Sequence, residues 1–438
     1  MKKSKKTIYK TIKKYYTKNI NLQNFNEDVD VKVNLKYATN ELPIVNIRAN
    51  EEITSKYDYV DMTFSIENCE GELEDVTGGI RLRGNHTMTQ PKKPYRIKFD
   101  KKQSLFGLTS AKSWVLLADY FDPSTLHNHT ALTLAKMSDG FEFIPTSNKV
   151  NLYLNGEFMG LYVLCEQVQE NKGRMDIEME TDENDYISTS FTNLSDYNFF
   201  ISMDKSCIED EDAVEGETYF KLTCKINGKN EDRWFELKYP EKSNFASDTQ
   251  FNKFFNDLKT YTQSIMDLLS NGTYNQINSA MHLDSLADYY IVDSIMRELD
   301  HTWKSFHMYR RAGESKLKFG PIWDYDWSLG VAWVSPDGAP NTDYPNDVSE
   351  WATTSPFYKM LEKFNQTKTL IRNHYNICYK TNLTNYINNY DIMVSGFATS
   401  LSLNNQKWYS SYNGNITTEN VEYLKRHLLG RKQVLDNF

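Results

Sequence analysis

Hydrophobic positions along the chain change period near residue 250. Upstream they alternate with polar ones, the two-residue period of a half-buried strand; downstream they recur at helical spacing. Residues 42–47 begin a first strand and residues 59–66 alternate as a second. Ile80 and Leu82 then alternate against Arg81 and Arg83, and the chain runs into Gly84-Asn85-His86-Thr87. In the next strand Tyr95, Ile97 and Phe99 share one face while Arg96 and Lys98 share the other. Residues 114–118 are a further short apolar run, and residues 124–137 read as a helix capped by Asp122 or Ser124, with Pro123 near its start. Val150, Leu152 and Leu154 alternate up to Asn155-Gly156, and residues 161–164 lead on to Glu166. Asn-Gly between alternating runs is a strong hairpin signal, because both residues tolerate the left-handed backbone of a tight turn.

Residues 176–216 are rich in Asp, Glu, Ser and Asn and read as a solvated insertion, interrupted by an apolar strand over 199–203 that ends at Asp204. Residues 219–224 and 234–237 add strands, and from Phe251 onward the pattern is mostly helical. One helix carries Leu286, Tyr289, Val292, Met296 and Leu299 on a stripe, so Asp300 falls where it gives way to a loop. Phe306, Met308 and Tyr309 form a short strand, Leu317 and Phe319 its return partner, and Ala312-Gly313 lies near the turn. Asp324 follows between Trp323 and Tyr325, with Asp326 two residues on.

A loop acid (Asp300), a hydroxyl five residues later (Ser305), a hairpin and a second acid (Asp324) stand in the order that phosphoryl transfer in kinases uses. There one Asp takes the acceptor's proton, a neutral oxygen in the same loop helps hold a metal ion, and a later Asp binds Mg²⁺. The same spacing also suits a loop cap and turn carboxylates between buried aromatics. Upstream, the Gly84-Asn85 turn can point backbone N–H groups at an anion. It lacks the Gly-Lys-Ser/Thr ending of a Walker loop. Arg96 and Lys98 beside it offer two cations for polyphosphate oxygens, or an ordinary solvated strand face.

At 438 residues the chain exceeds one typical core, which predicts two lobes or domains. A net charge of −9 argues against general nucleic-acid binding. Five scattered cysteines without a Cys-x-x-Cys pair predict neither a disulfide framework nor a zinc site, and favour a reducing compartment. Residues 1–18 are rich in Lys but carry no apolar core of a secretory signal, and no run reaches the roughly 18 apolar residues of a membrane span. These features predict a cytoplasmic protein without a transmembrane segment.

Several blocks in one order resemble the spore-coat protein H (CotH) kinase family: Arg81-Leu-Arg-Gly-Asn-His-Thr, Lys92-Lys-Pro-Tyr-Arg-Ile-Lys-Phe, Leu105-Phe-Gly, Trp114-Val-Leu-Leu-Ala, Leu154-Asn-Gly-Glu-Phe-Met-Gly-Leu-Tyr and Gly320-Pro-Ile-Trp-Asp-Tyr-Asp-Trp-Ser-Leu-Gly. The resemblance covers roughly residues 42–335 and implies an α+β, two-lobed, atypical protein-kinase-like fold. Its N-terminal lobe would be antiparallel β and its C-terminal lobe mainly helical, with ATP and Mg²⁺ (or Mn²⁺) between them. The implied domains are a basic arm and connector (1–40), a β-rich lobe (41–177), an acidic insertion with inter-lobe strands (178–240) and a helical catalytic lobe (241–438).

The activity so implied is transfer of the γ-phosphoryl group to Ser or Thr of a protein, in spore formers a coat protein, with an association to the spore coat. The acidic insertion suits a basic, Ser-rich acceptor. By position, Lys98 would contact the phosphates, the Arg83-Gly84-Asn85 turn would cover them, and Glu166 would lie near the nucleoside. Asp300 would be the catalytic acid, Asp324 the metal ligand, and Asp326 and Ser305 further metal candidates. Two positions depart from the family: Ser305 stands where Asn is usual, and His127 stands where an Arg usually precedes Asn128. The departures leave open a pseudokinase acting as a coat or adhesion binding module, and a loop Asp followed by Asp-x-Asp also suits a small-molecule phosphotransferase.

Overall fold

The computed structural model describes residues 42–226, 228–329, 355–409 and 416–438; the basic arm expected over 1–40 lies outside them. Seven strands form a closed barrel: β1 (Ile44–Ala49), β2 (Val60–Glu67), β3 (Leu73–Leu82), β4 (Tyr95–Gln103), β5 (Ala111–Leu117), β6 (Ser147–Leu154) and β7 (Glu157–Glu166), in the order β1-β2-β3-β4-β5-β7-β6. The alternating pattern fills its interior. Ile80 pairs with Ile97, Ile97 with Trp114, and all three are fully buried in one apolar cluster with Phe64 and Phe99. Burial of each such side chain stabilises the fold by about 1.5–3 kcal/mol. The expected all-antiparallel lobe differs at one seam, where β1 runs parallel to β6, Val45 opposite Leu152. The reason is parity: a closed ring with an odd number of strands cannot alternate direction all the way round.

Between β5 and β6 the chain forms α1 (His127–Ala135), shorter than the helix read over 124–137 and buried at every residue except Thr133. Its start is fixed by Asp122, whose Oδ2 accepts from the backbone N–H groups of Leu126 (2.5 Å) and His127 (2.8 Å). That arrangement answers the orphan donors of a helix N-terminus.

A second sheet has the order β12-β11-β8-β10-β9, built from β8 (Phe199–Met203), β9 (Tyr219–Ile226), β10 (Lys229–Tyr239), β11 (Phe306–Arg310) and β12 (Lys318–Phe319). The expected 306–319 hairpin therefore does not stand alone. β11 adds to β8, with Phe306 opposite Met203 and Tyr309 opposite Phe200. As the central strand, β8 is buried along its whole length.

Helices cover this sheet. The amphipathic α2 (Asp248–Asn271) turns Phe251, Phe254, Phe255 and Leu258 inward and is followed by α3 (Tyr274–Ala280). In α4 (Leu283–Met296) every residue but Asp284 is buried, so it is enclosed on all sides. The remainder comprises α5 (Pro356–Lys363), α6 (Asn365–His374), α7 (Lys380–Asn388), α8 (Tyr390–Ser395), α9 (Ala398–Trp408) and α10 (Ile416–Asp436). α9 returns to the barrel, where Asn404 Oδ1 accepts from the backbone N–H of Leu161 (3.1 Å) and Trp408 Nε1 donates to the carbonyl of Met159 (2.8 Å). Among the described residues no helix is long and apolar enough to cross a membrane.

Candidate active site

A cleft of about 780 Å³ opens between the barrel and the second sheet. Its barrel side is the loop after β3, with Arg83, Gly84, Asn85, His86 and Thr87, together with Arg96 and Lys98 of β4. Gly84 has φ +77, and a Cβ placed there would lie 2.2 Å from Thr87 Oγ1, so the loop needs glycine for both torsion and space. An aromatic group anchors the loop: His86 stacks on Phe121 with ring centres 5.3 Å apart, and Trp327 meets both edge-on. Asn85 Oδ1 accepts from Lys56 Nζ (2.9 Å), which also donates to Asp210 Oδ1 (2.6 Å) and so ties the loop to the acidic insertion.

Strand alternation brings Arg96 and Lys98 to the same face, with Lys98 exposed. Burial and the neighbouring cations Arg81 and Arg83 hold Arg96 below its usual pKa, although Tyr59 and Glu170 act in the other direction. Its Nε has no hydrogen-bond partner among the described residues. This wall of the cleft is positive and suited to an anion.

Opposite stand the acids. Helix α4 ends at Met296 and is capped by Arg297, which takes a left-handed turn (φ 53), and a single 3-10 turn, Asp300–Thr302, follows. The Asp300 carbonyl accepts from the N–H groups of Trp303 (2.9 Å) and Lys304 (2.7 Å). Ser305 is also left-handed (φ 51); its N–H donates to Asp204 Oδ2 (3.2 Å) and its hydroxyl to Asp324 Oδ2 (3.1 Å). Asp324 is left-handed as well, at φ 68. Non-glycine residues in this region cost about 1–3 kcal/mol each and persist where surrounding contacts over-determine them. Burial raises the pKa of Asp300, Lys304 opposes that, and Asp324 adds to it. Asp326 is pushed well above the usual carboxylate range by burial and by the carboxylates of Asp324 and Asp119. Crowded carboxylates of this kind favour a bound cation.

The segment carrying Asp324 and Asp326 is held from outside by side chains, not by a strand. His307 Nδ1 donates to the carbonyl of Pro321 (2.8 Å), His301 Nε2 to that of Trp323 (2.8 Å), and His127 Nδ1 to that of Asp326 (3.1 Å). Asn128 Oδ1 accepts from the Tyr325 N–H (2.9 Å).

The cleft thus brings together Arg83, Gly84, Asn85, Lys98, Asp300, Ser305, Asp324 and Asp326. It does not bring in Glu166. That carboxylate is buried at the end of β7, where Oε2 accepts from the Thr146 N–H (3.0 Å) and Oε1 lies 3.4 Å from Arg174 Nε. A buried charge needs such a partner, and Gln167 to Asn171, which follow Glu166, line the cleft. Residues to which the sequence assigned no role also stand here: Asp204, His301 and Asn128, the last noted only as the Asn that follows His127. Asp204 had a signal, as a carboxylate ending an apolar strand. His301 had only its place beside Asp300.

Among the described residues no group of three or more His, Cys, Asp or Glu side chains is arranged to hold a metal ion by itself. The donors at hand, Asp324, Asp326 and the Ser305 hydroxyl, are all oxygens. That set fits Mg²⁺, which commonly takes one or two carboxylates and completes its shell with water and phosphate oxygens.

No curated protein matches the chain. The family described as CotH kinase protein matches residues 80–435, from the end of β3 through the cleft to the last turn of α10. With most of its length matched, the chain belongs to the CotH kinase family.

Proposed function

We propose that this chain is an ATP-dependent protein kinase that phosphorylates Ser or Thr of a basic, Ser-rich protein acceptor, in the setting of a spore coat. The observation that carries this reading is the cleft in which the positive wall of Arg83, Arg96 and Lys98 faces Asp300, Ser305 and Asp324. Family membership supports a kinase-like phosphotransferase. The reading also takes residues 41–177 and 241–438 as the two lobes of a kinase-like fold, with 178–240 between them.

When bound, the nucleotide and its divalent cation supply the phosphoryl group and neutralise its charge. Arg96 and Lys98 offset charge on the phosphates, and the backbone N–H groups of Gly84 and Asn85 orient them, that of Arg83 being spent on the Pro94 carbonyl (3.2 Å). Asp324, Asp326 and Ser305 would hold the cation. Asp300 aligns the acceptor hydroxyl and takes its proton at a carboxylate oxygen; a raised pKa makes it a better base once ionised. Asp204, Glu209 and Glu236 on the cleft wall favour a basic acceptor through charge complementarity.

Ser305 favours a second reading, a binding module with a weakened or lost activity, because a hydroxyl reaches less far toward a cation than an Asn side chain. Calorimetric ATP binding with Mg²⁺ and then with EDTA, on wild type and Asp324→Ala, tests the first reading, followed by transfer to Ser-rich basic peptides. Metal-dependent binding that the variant loses, together with transfer, supports the kinase. Binding without transfer leaves the module, and an absence of binding rejects the nucleotide site.

A further inference from the structure

Asn128 stands on the first turn of α1 and is 5% exposed. Its side chain touches three groups. Nδ2 donates to Asp326 Oδ1 (2.6 Å) and to Asp119 Oδ1 (2.9 Å), while Oδ1 accepts from the backbone N–H of Tyr325 (2.9 Å). This pattern fixes the orientation of the amide. A backbone N–H can only donate and two carboxylates accept, so the oxygen must face Tyr325 and the nitrogen the two acids. The preceding residue acts on the same segment, since His127 Nδ1 donates to the Asp326 carbonyl (3.1 Å). Two successive α1 residues therefore hold the backbone and the carboxylate of the segment that carries Asp324 and Asp326.

The other end of the linkage is rooted in the fold. Asp119 is buried, sits in a left-handed turn (φ 47), and leaves Oδ2 without a hydrogen-bond partner among the described residues. Nearby Lys92 is fully buried, with Nζ donating to the carbonyls of Ala118 and Leu161, both at 2.6 Å. A rigid, buried acid thus fixes Asn128, and Asn128 takes Oδ1 of Asp326, leaving Oδ2 as the oxygen that Asp326 can offer a ligand.

We infer that Asn128 is a positioning residue that sets the rotamer of Asp326 for a divalent cation in the cleft, coupling α1 to cation binding. The inference rests on the kinase reading of the cleft. Neither of the two similar polar residues does this as well. Asp would place a third carboxylate against two others, and Ser would be too short to reach all three groups. Partners that orient a metal's ligands commonly contribute 10–100-fold to metal affinity.

The test is a Mn²⁺ titration followed by electron paramagnetic resonance, with ATP present, on wild type, Asn128→Ala, Asp326→Ala and the double variant, with thermal melting of each. The expected result is about a tenfold weaker Mn²⁺ affinity in Asn128→Ala, and no further loss when Asn128→Ala is added to Asp326→Ala. That non-additivity is what a general structural defect would not produce. Should Asn128→Ala fail to fold, Asn128→Ser, which adds no charge and is too short to reach the three groups, gives the same comparison. Unchanged Mn²⁺ affinity in Asn128→Ala, or losses that simply add, overturns the role of Asn128 while leaving the kinase reading intact. Absence of Mn²⁺ binding by the wild type overturns both.

Discussion

The imidazole of His301 faces the carboxylate of Asp293, with Nδ1 3.0 Å from each oxygen, and both residues are fully buried. The opposite ring nitrogen reaches the carbonyl of Trp323. Both partners only accept, so both ring nitrogens carry protons and His301 is a buried cation. Burial works against this charge, but Asp293 outweighs it and lifts the pKa to about 10. Asp293 also accepts from Tyr325 Oη (2.6 Å) and from the Tyr358 hydroxyl. One carboxylate on α4 thereby fixes the turn that carries Asp300 and the segment that carries Asp324.

Replacing Asp293 by Asn leaves His301 short of its counter-charge, and loss of one partner of a buried pair costs about 3–5 kcal/mol. The pH dependence has a definite sign. His301 keeps its proton in the folded state up to about pH 10, whereas an unfolded histidine loses it near its usual 6.5. Its stabilisation is therefore complete below about pH 6.5 and declines as pH rises toward 10, by at most about 1.4 kcal/mol per pH unit. Lys92, pushed down to about 7 by burial, contributes the opposite slope over much of the same range. The readout is accordingly the difference between wild type and Asp293→Asn in urea unfolding at pH 7, 8 and 9. That difference should shrink as pH rises; a constant difference would mean that His301 is neutral.

Ser305 holds a left-handed backbone and hydrogen-bonds Asp324. Asn tolerates that backbone better than Ser and reaches further. Ser305→Asn should lower the Mg²⁺ concentration at which ATP binding is half-maximal, while Ser305→Ala should raise it about tenfold, as loss of a cation-orienting group does. Calorimetry across a Mg²⁺ series measures both. Equal behaviour of all three proteins would place Ser305 outside the cation site.

Gly84→Ala forces a Cβ against Thr87 Oγ1 in a left-handed turn. The strain costs about 1–2 kcal/mol locally. Because the loop lies at the rim of the cleft, the melting temperature should fall by only a few degrees while ATP binding weakens more than tenfold. Adding Thr87→Ala removes the clash but not the torsional strain, so it should restore binding in part. Full retention of ATP affinity in Gly84→Ala would remove the turn from the phosphate site.

Much of the barrel was legible because its signals are local. Asn155-Gly156 marks the β6–β7 hairpin, and the alternation of Tyr95, Ile97 and Phe99 puts Arg96 and Lys98 together on the cleft face. Local signals fail where burial removes the pattern. α4 is enclosed on all sides, so its stripe ran on to Leu299, whereas the helix stops at Met296 because Arg297 turns left-handed without a glycine to announce it. The partner of Glu166 was hidden for a related reason: strand position gives no sign that a carboxylate pairs with Arg174. The hold of Asn128 on Tyr325 spans 197 positions and leaves no trace in any window of sequence.

The pairing of β11 with β8 has a consequence for the birth of the protein. Ser305, at the start of β11, donates its N–H to Asp204, at the end of β8, across 101 positions of chain. Contacts this distant carry the entropy of closing a long loop and form late. On the ribosome, which delivers the N-terminal part first, the barrel can close around β1 and β6 before Asp300, Ser305 or Asp324 has been synthesised. The positive wall exists before the acids that face it. Throughout that interval the emerging chain carries an anion-attracting surface, and the wall that faces it is complete only when the segment after the second sheet, with Asp324 and Asp326, is in place.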